Sequence, residues 1–235
     1  MAGSKHRGLA QSVTVSAEAL SAVWLSVRVA VASTLLNVAI GVPLAYVLAR
    51  RTFRGRGLVD LLVTLPLVLP PTVTGYYLIV LLGRRGVLGA PLYAATGLSV
   101  AFTWYAAVIA AAVMAMPLLV RTASAAITSV DRDLERAAYT LGRSEWHTAL
   151  TVTLPLARNG ILAGVVLAFA RALGEFGATL MLAGNIPGKT TTVPLAIYTA
   201  VQTGETGEVL LLAGVLTALS CAVLVTAGRL GARAA

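Results

Sequence analysis

Arg171 and Glu175 stand four residues apart inside an otherwise apolar stretch, 158 to 183, so on a helix they share one face. A lone charge at mid-membrane costs about 2.5 to 3.5 kcal/mol, so such residues face a partner or a cavity. Two readings stand side by side: the pair neutralises itself and docks this helix on its neighbour, or Arg171 lies by an anion path and Glu175 at a gate. Arg28, within the stretch 22 to 49, is a second candidate partner for Glu175, or else carries its charge to the interface along its alkyl stem. Leu69-Pro70-Pro71-Thr72, followed by Thr74 and Gly75, is the other unusual place in an apolar stretch. Two successive prolines withdraw two backbone donors and break a helix, which hydrocarbon tolerates only where protein or a water-filled cavity satisfies the freed carbonyls. The break is either a kink that packs or a feature beside a pathway.

A third group of residues lies between apolar stretches. Asp131 is placed to cap a helix whose first turn carries Asp133 and Glu135, the sign that the helix dipole favours. Leu134, Ala137, Ala138 and Leu141 then fall at i, i+3, i+4 and i+7, one apolar stripe of mostly small residues, and Gly142 ends the helix. A short second helical piece, 144 to 150, leads to Leu154-Pro155. Such a helix is too short to fold alone and too polar to enter the bilayer, so it must dock, either on the ends of the apolar helices or on a soluble partner.

Other chemistry is excluded by residue type. Ala183-Gly184-Asn185-Ile186-Pro187-Gly188-Lys189-Thr190 comes within one residue of a phosphate-binding loop, but that loop works only between a strand and a helix N-terminus, and here it follows an apolar helix; a turn is expected. The single cysteine, Cys221, allows no intrachain disulfide and no cysteine metal cluster, and the two histidines, His6 and His147, make no zinc site, so no metal is expected. A membrane-embedded enzyme would need His-Glu-x-x-His, paired aspartates or a histidine within an apolar stretch, and none is present.

These residues are carried by a chain that is 58% hydrophobic and only 11% charged over 235 residues, with a mean hydropathy of +0.87. A soluble domain carries roughly 25% charged residues. Five stretches reach the roughly 20 apolar residues that a bilayer demands: about 22 to 49, 57 to 82, 98 to 120, 158 to 183 and 207 to 228, with a sixth before residue 22 left open. The expected organisation is an extracytoplasmic segment 1 to 21, a membrane domain 22 to 228 with a cytoplasmic loop 121 to 157, and a cytoplasmic tail 229 to 235. Placing residues 50 to 56 inside puts eleven Lys/Arg there against five outside, the sense of the positive-inside bias, with Lys5 and Arg7 against it. The net charge of +9 is scattered between apolar stretches rather than gathered on one polar face, so nucleic acid is not an expected partner. An all-α, multi-pass membrane protein follows.

Glu135-Arg136-Ala137-Ala138, three residues, Gly142, nine residues and then Val152-Thr153-Leu154-Pro155 resembles the E-A-A-x-x-x-G-x(9)-I-x-L-P loop of permease subunits of bacterial ABC importers. The glutamate lies one residue early, with Arg136 in its place, and Val152 stands for Ile. Within that superfamily the chain is most similar to molybdate permeases, through Leu65 to Pro71 with Gly75-Tyr76, through Gly83-Arg84-Arg85-Gly86, through Ala168 to Arg171 with Leu173 to Thr179, and through Gly184 to Gly188. The Leu-Gly-Glu-Phe-Gly-Ala element is shared with sulfate and thiosulfate permeases, which makes those anions the alternative cargo; the short length and the other stretches favour molybdate, with tungstate as a further cargo.

The resemblance implies a type I importer permease in the inner membrane. It implies a homodimer, a cytoplasmic ATPase dimer that uses ATP and Mg, and an extracytoplasmic oxyanion-binding protein, with no cofactor bound and no catalysis by this chain. By the motif, Glu135, Ala137, Ala138, Gly142, Leu154 and Pro155 would contact the ATPase. Pro70, Pro71, Thr72, Thr74, Arg171, Glu175 and Thr179 would line the pathway or its gate. A passive channel would have no use for the amphipathic loop helix.

Overall fold

The computed structural model describes residues 17 to 232, with side chains to 226, and is helical throughout. In chain order the helices are α1 (Ala17–Arg50), α2 (Arg56–Val68), α3 (Pro71–Leu82), α4 (Gly89–Thr96), α5 (Trp104–Ser129), α6 (Arg132–Thr140), α7 (Glu145–Thr148), a π turn (Ala149–Thr153), α8 (Leu154–Leu156), α9 (Arg158–Leu173), α10 (Gly177–Ala183), α11 (Val193–Thr203) and α12 (Thr206–Ala232). Lys5 and Arg7 and most of the expected N-terminal segment lie outside the described residues, as does the end of the tail.

Three of these helices are long and apolar enough to cross a bilayer unbroken: α1, α5 and residues Thr206–Thr226 of α12. The other two expected spans are each divided. Prolines 70 and 71 separate α2 from α3, as their missing donors require. The stretch 158 to 183, expected as one helix, instead stops at Leu173 and restarts at Gly177. Two further boundaries differ from expectation. Helix α1 begins at Ala17, within the segment expected outside the membrane, and α5 runs from Trp104 to Ser129, so the loop expected from residue 121 begins nine residues later. Alternating apolar and small residues continue through Ala123 and Ile127, both fully buried, and hold α5 helical past Arg121. Arg121 itself reaches sideways to Asp60 at 3.0 Å.

Close packing of α1, α5 and α9 makes the core. Ala22, Ser26, Ala30, Ser33, Asn37, Gly41 and Ala45 form the inner stripe of α1, and Ala107, Ala110, Ala111, Met114, Ala115 and Leu119 face them from α5. Lipid tails are as apolar as leucine, so helices associate in a membrane through dispersion and close approach, which small residues permit. Ser33 and Thr34 bond their hydroxyls back to the Ala30 carbonyl, which lets two polar side chains sit in this stripe. Large apolar residues point away from the core instead: Leu20, Trp24 and Leu35 on α1, and Leu58, Leu61 and Leu62 on α2 are all well exposed. Arg28 carries its guanidinium out over the Trp104 ring, 4.1 Å from its centroid, and is not the partner of Glu175.

The near match to a phosphate loop closes on itself as a turn. Thr190 accepts from the Ile186 N–H and donates to the Gly184 carbonyl, and the Lys189 and Thr190 amides both bond to the Ile186 carbonyl.

Packing at Gly75 generates a stability prediction. A Cβ there would lie 2.7 Å from the Met181 Cβ and 2.8 Å from the Ala178 Cα, whereas one at Gly57 meets nothing within 4 Å. Gly75→Val is expected to destabilise by about 1 to 3 kcal/mol as α3 is levered off α10. In thermal melts of the detergent-solubilised protein it should lower Tm clearly, while Gly57→Ala should not.

Candidate functional site: two facing helix breaks and an exposed amphipathic segment

The two broken spans meet at their breaks. A Cβ on Gly177, the first residue of α10, would stand 2.9 Å from the Pro71 Cβ and 3.3 Å from the Thr72 amide nitrogen. One turn on, Gly75 of α3 lies against Ala178 and Met181 of α10. Glycines on both sides thus bring two interrupted backbones into direct contact, and of the residues expected at a pathway the structure brings together Pro71, Thr72, Thr74, Glu175 and Thr179. Pro70, Pro71 and Thr72 are exposed, while Thr74 and Thr179 are buried. The Thr74 hydroxyl has no hydrogen-bond partner among the described residues.

Glu175 sits in the break rather than on the helix. Its carboxylate is 1% exposed, and it accepts from the Ala178 amide at 2.8 Å through Oε1 and pairs with Arg171 Nη1 at 2.6 Å through Oε2. It therefore caps α10 and neutralises Arg171 at once. The geometry is that of the self-neutralising pair: it spans the interruption, with Arg171 on α9 and Glu175 bonded to the start of α10. Arg171 keeps 29% of its side chain exposed. The local charge is zero overall, with one cationic edge open and hydroxyls nearby, a combination that offers an anion passing contacts without a deep electrostatic well.

At the opposite end, α6 and α7 project from the bundle. Asp131 caps α6 by accepting from the Asp133 amide at 2.9 Å, and Ser144 caps α7. Gly142 takes φ +78°, the left-handed turn that lets the Arg143 amide reach back to the Ala138 carbonyl. The apolar stripe points outward: Leu134 is 49% and Leu141 81% exposed, and Ala137 is exposed beside them. Residues expected from the motif to meet a partner divide accordingly. Ala137, Gly142 and Pro155 are open, Ala138 is half-buried, Leu154 packs with Ala45, Ile127 and Ala157, and Glu135 is buried. Glu135 turns inward because Arg50 at the end of α1 lies 3.0 Å away and Thr153 Oγ1 donates to it at 2.6 Å. Arg51 pairs with Glu145 beside it. Tyr139 on the rim has its phenol held above the usual 10.0, first by partial burial and then by the Glu135 and Glu145 carboxylates, and so stays neutral.

Arg50 and Arg51 are the residues that sequence reasoning missed. As sequence they read as a stop-transfer charge flank, and their partners lie 85 and 94 positions further on. No local pattern carries such a pairing.

Similarity to known proteins places this helical bundle in a transport family. Residues 41–233 match the family described as "Binding-protein-dependent transport system inner membrane component", and the chain belongs to that family. The molybdenum transport system permease protein ModB of Escherichia coli K12 is 51% identical over 188 residues, 79% of this chain and 82% of its own length. ModB of Haemophilus influenzae is 46% identical over 86% of this chain and 90% of its own. A putative molybdenum transport permease of Bacillus subtilis, YvgM, is 42% identical over 84% of this chain and 86% of its own. Among solved structures, a bacterial ABC transporter involved in alginate import has a TM-score of 0.73 at 17% identity, over 93% of this chain and 80% of that one. The inward-facing methionine ABC transporter MetNI gives 0.71 at 16% identity, over 92% of this chain and 95% of that one. The fold is that of ABC importer permeases, and the protein is a multi-pass component of the inner membrane.

If Arg171 and Glu175 act mainly on each other, removing either leaves an uncompensated charge, and removing both does not. Arg171→Ala combined with Glu175→Ala should then be no worse in transport than the poorer single variant; losses that multiply would assign the two residues separate roles.

Proposed function

We propose that this chain is the membrane-spanning permease subunit of an ATP-driven importer that carries molybdate into the cytoplasm, with tungstate as a second cargo. The observation that carries the cargo is the set of molybdenum transport permeases that align along most of the chain at 42 to 51% identity. The exposed face of α6 supports the dependence on a partner. An apolar stripe on a projecting cytoplasmic helix is stable only when something covers it, and a cytoplasmic ATPase dimer, which would bind ATP and Mg, is the occupant proposed. Two copies of this chain would form the pathway, and an extracytoplasmic binding protein would deliver the oxyanion.

In the mechanism proposed, Ala137, Ala138, Gly142, Leu154 and Pro155 belong to the docking segment. Small residues there let the partner approach closely, so that closure of the ATPase dimer is converted into movement of the helices. The pathway passes the paired breaks, where Thr72, Thr74, Thr179 and Arg171 offer transient donors and Pro70 and Pro71 interrupt the helix. A tetrahedral dianion needs such donors to leave water and must also be released. The neutralising Glu175 keeps Arg171 from holding it.

Uptake of molybdate into liposomes holding the permease, its ATPase and its binding protein is the direct test. ATP-dependent uptake that persists in excess sulfate is expected; abolition by sulfate would make the carrier a sulfate or thiosulfate permease, and anion flux without ATP would overturn the importer reading. Ala137→Trp places bulk on the exposed stripe without touching the left-handed turn at Gly142, which a side chain would strain. It should insert normally and lose copurification with the ATPase.

A further inference from the structure

The buried residue of α6 is a carboxylate, while the leucines around it face outward. This inverts the usual order of a surface helix, and an ionised carboxylate in such a place is tolerated only when it is paired and hydrogen-bonded. Glu135 meets both conditions, with side-chain exposures of 6% for Arg50 and 8% for Glu135 at a separation of 3.0 Å. Arg50 does not stop there: its Nη2 donates to the Val130 carbonyl, the C-cap of α5, at 2.9 Å. Thr153, which donates to the same carboxylate, closes the π turn that runs through Leu154-Pro155 into α9. One ion pair therefore ties α6 to the end of α1, the end of α5 and the approach to α9.

Two other links run beside it: α6 follows α5 directly through Val130 and Asp131, and Arg51 at the end of α1 pairs with Glu145 of α7. The substantial helix contacts of α6 are with α7 and the π turn, not with any spanning helix. The chain also bends by 75° between the segment Glu145–Leu156 and α9, so the backbone does not run straight from this segment into α9. π turns carry an extra residue and recur where helices must adjust. An ion pair buried on both sides resists stretching, because separation leaves two uncompensated charges.

Resting on the importer function proposed above, we infer that the Arg50–Glu135 ion pair is the strut that passes movement of α6 to α1 and α9. Both are positioning residues of the transport cycle, and Glu135 is not a contact for the ATPase. This also accounts for the displaced glutamate of the motif: one residue earlier on the helix it faces the bundle, and Arg136 takes the outward position, pairing with Asp133 at 2.9 Å.

The test uses the full complex in liposomes with molybdate as the cargo. Arg50→Met, Glu135→Gln and the double variant should copurify with the ATPase and hydrolyse ATP within about twofold of wild type, while molybdate carried per ATP falls about tenfold, the double being no worse than either single. Arg50→Lys, which keeps the charge, should recover part of the loss. Loss of copurification with unchanged transport per ATP in the remaining complex would make Glu135 a partner contact and overturn the strut, as would unchanged coupling in every variant. A measurement that leaves the pair intact covers variants that fail to accumulate. With spin labels on Val47→Cys and Arg132→Cys in a Cys221→Ser background, the distance between α1 and α6 should be the same in nucleotide-free and ATP-vanadate-trapped complexes; a change in that distance would overturn the strut. Absence of ATP-driven molybdate uptake in the wild-type complex would instead overturn the importer reading beneath it.

Discussion

The close approach of α1, α5 and α9 is the constraint on which the other features depend. Hydrocarbon supplies no hydrophobic drive for helices to associate, so the bundle is held by dispersion across a seam where alanine, glycine and serine let backbones come together. A Cβ on Gly41 would already press on Met116 and Leu119, and one on Gly164 would press on Leu119 and Thr122. Because the seam is narrow, larger side chains are turned outward, and α2 and α12 present apolar surface that is stable only against lipid or another copy of the chain.

A rigid seam permits irregularity on either side of it. The two interrupted spans are placed so that each break covers the other: Glu175 meets the Ala178 amide at the start of α10, and Gly75 and Gly177 let the two backbones close on one another. In a membrane such breaks are tolerated only where protein or a water-filled cavity lies beside them. In the function proposed, the same ion pair that makes the break stable also moderates the cationic Arg171 beside it. A carrier must accept a dianion and then release it, and a neutralised arginine with neighbouring hydroxyls suits transit better than a bare cation would.

At the α6 end of the bundle the logic is reversed, with charge inside and apolar surface outside. Buried ion pairs are poor sources of stability, since desolvation offsets most of their Coulomb energy, but they are intolerant of separation. That property suits a joint better than it suits a core. The exposed stripe of α6 and the buried pair beneath it therefore divide two tasks, meeting a partner and holding on to the bundle.

Much of this was legible in the residues themselves. Hydropathy, arginine asymmetry, the double proline, the Asp131 cap and the Gly142 stop are local properties, set by the backbone's need for hydrogen bonds and by the conformations that proline and glycine permit. They determined an all-helical membrane protein, the break at Pro70-Pro71 and the projecting amphipathic helix. Where α9 stops was not legible, because Ala172 to Glu175 fit a continuing helix as well as a broken one; the break is stable only because Glu175 finds both Arg171 and the Ala178 amide, and because Gly177 fits against Pro71. The inward turn of Glu135 was decided in the same way. Which face of a short helix is covered depends on what stands opposite it, and Arg50, 85 residues earlier in the chain, is brought there only by the packing of α1 against α5.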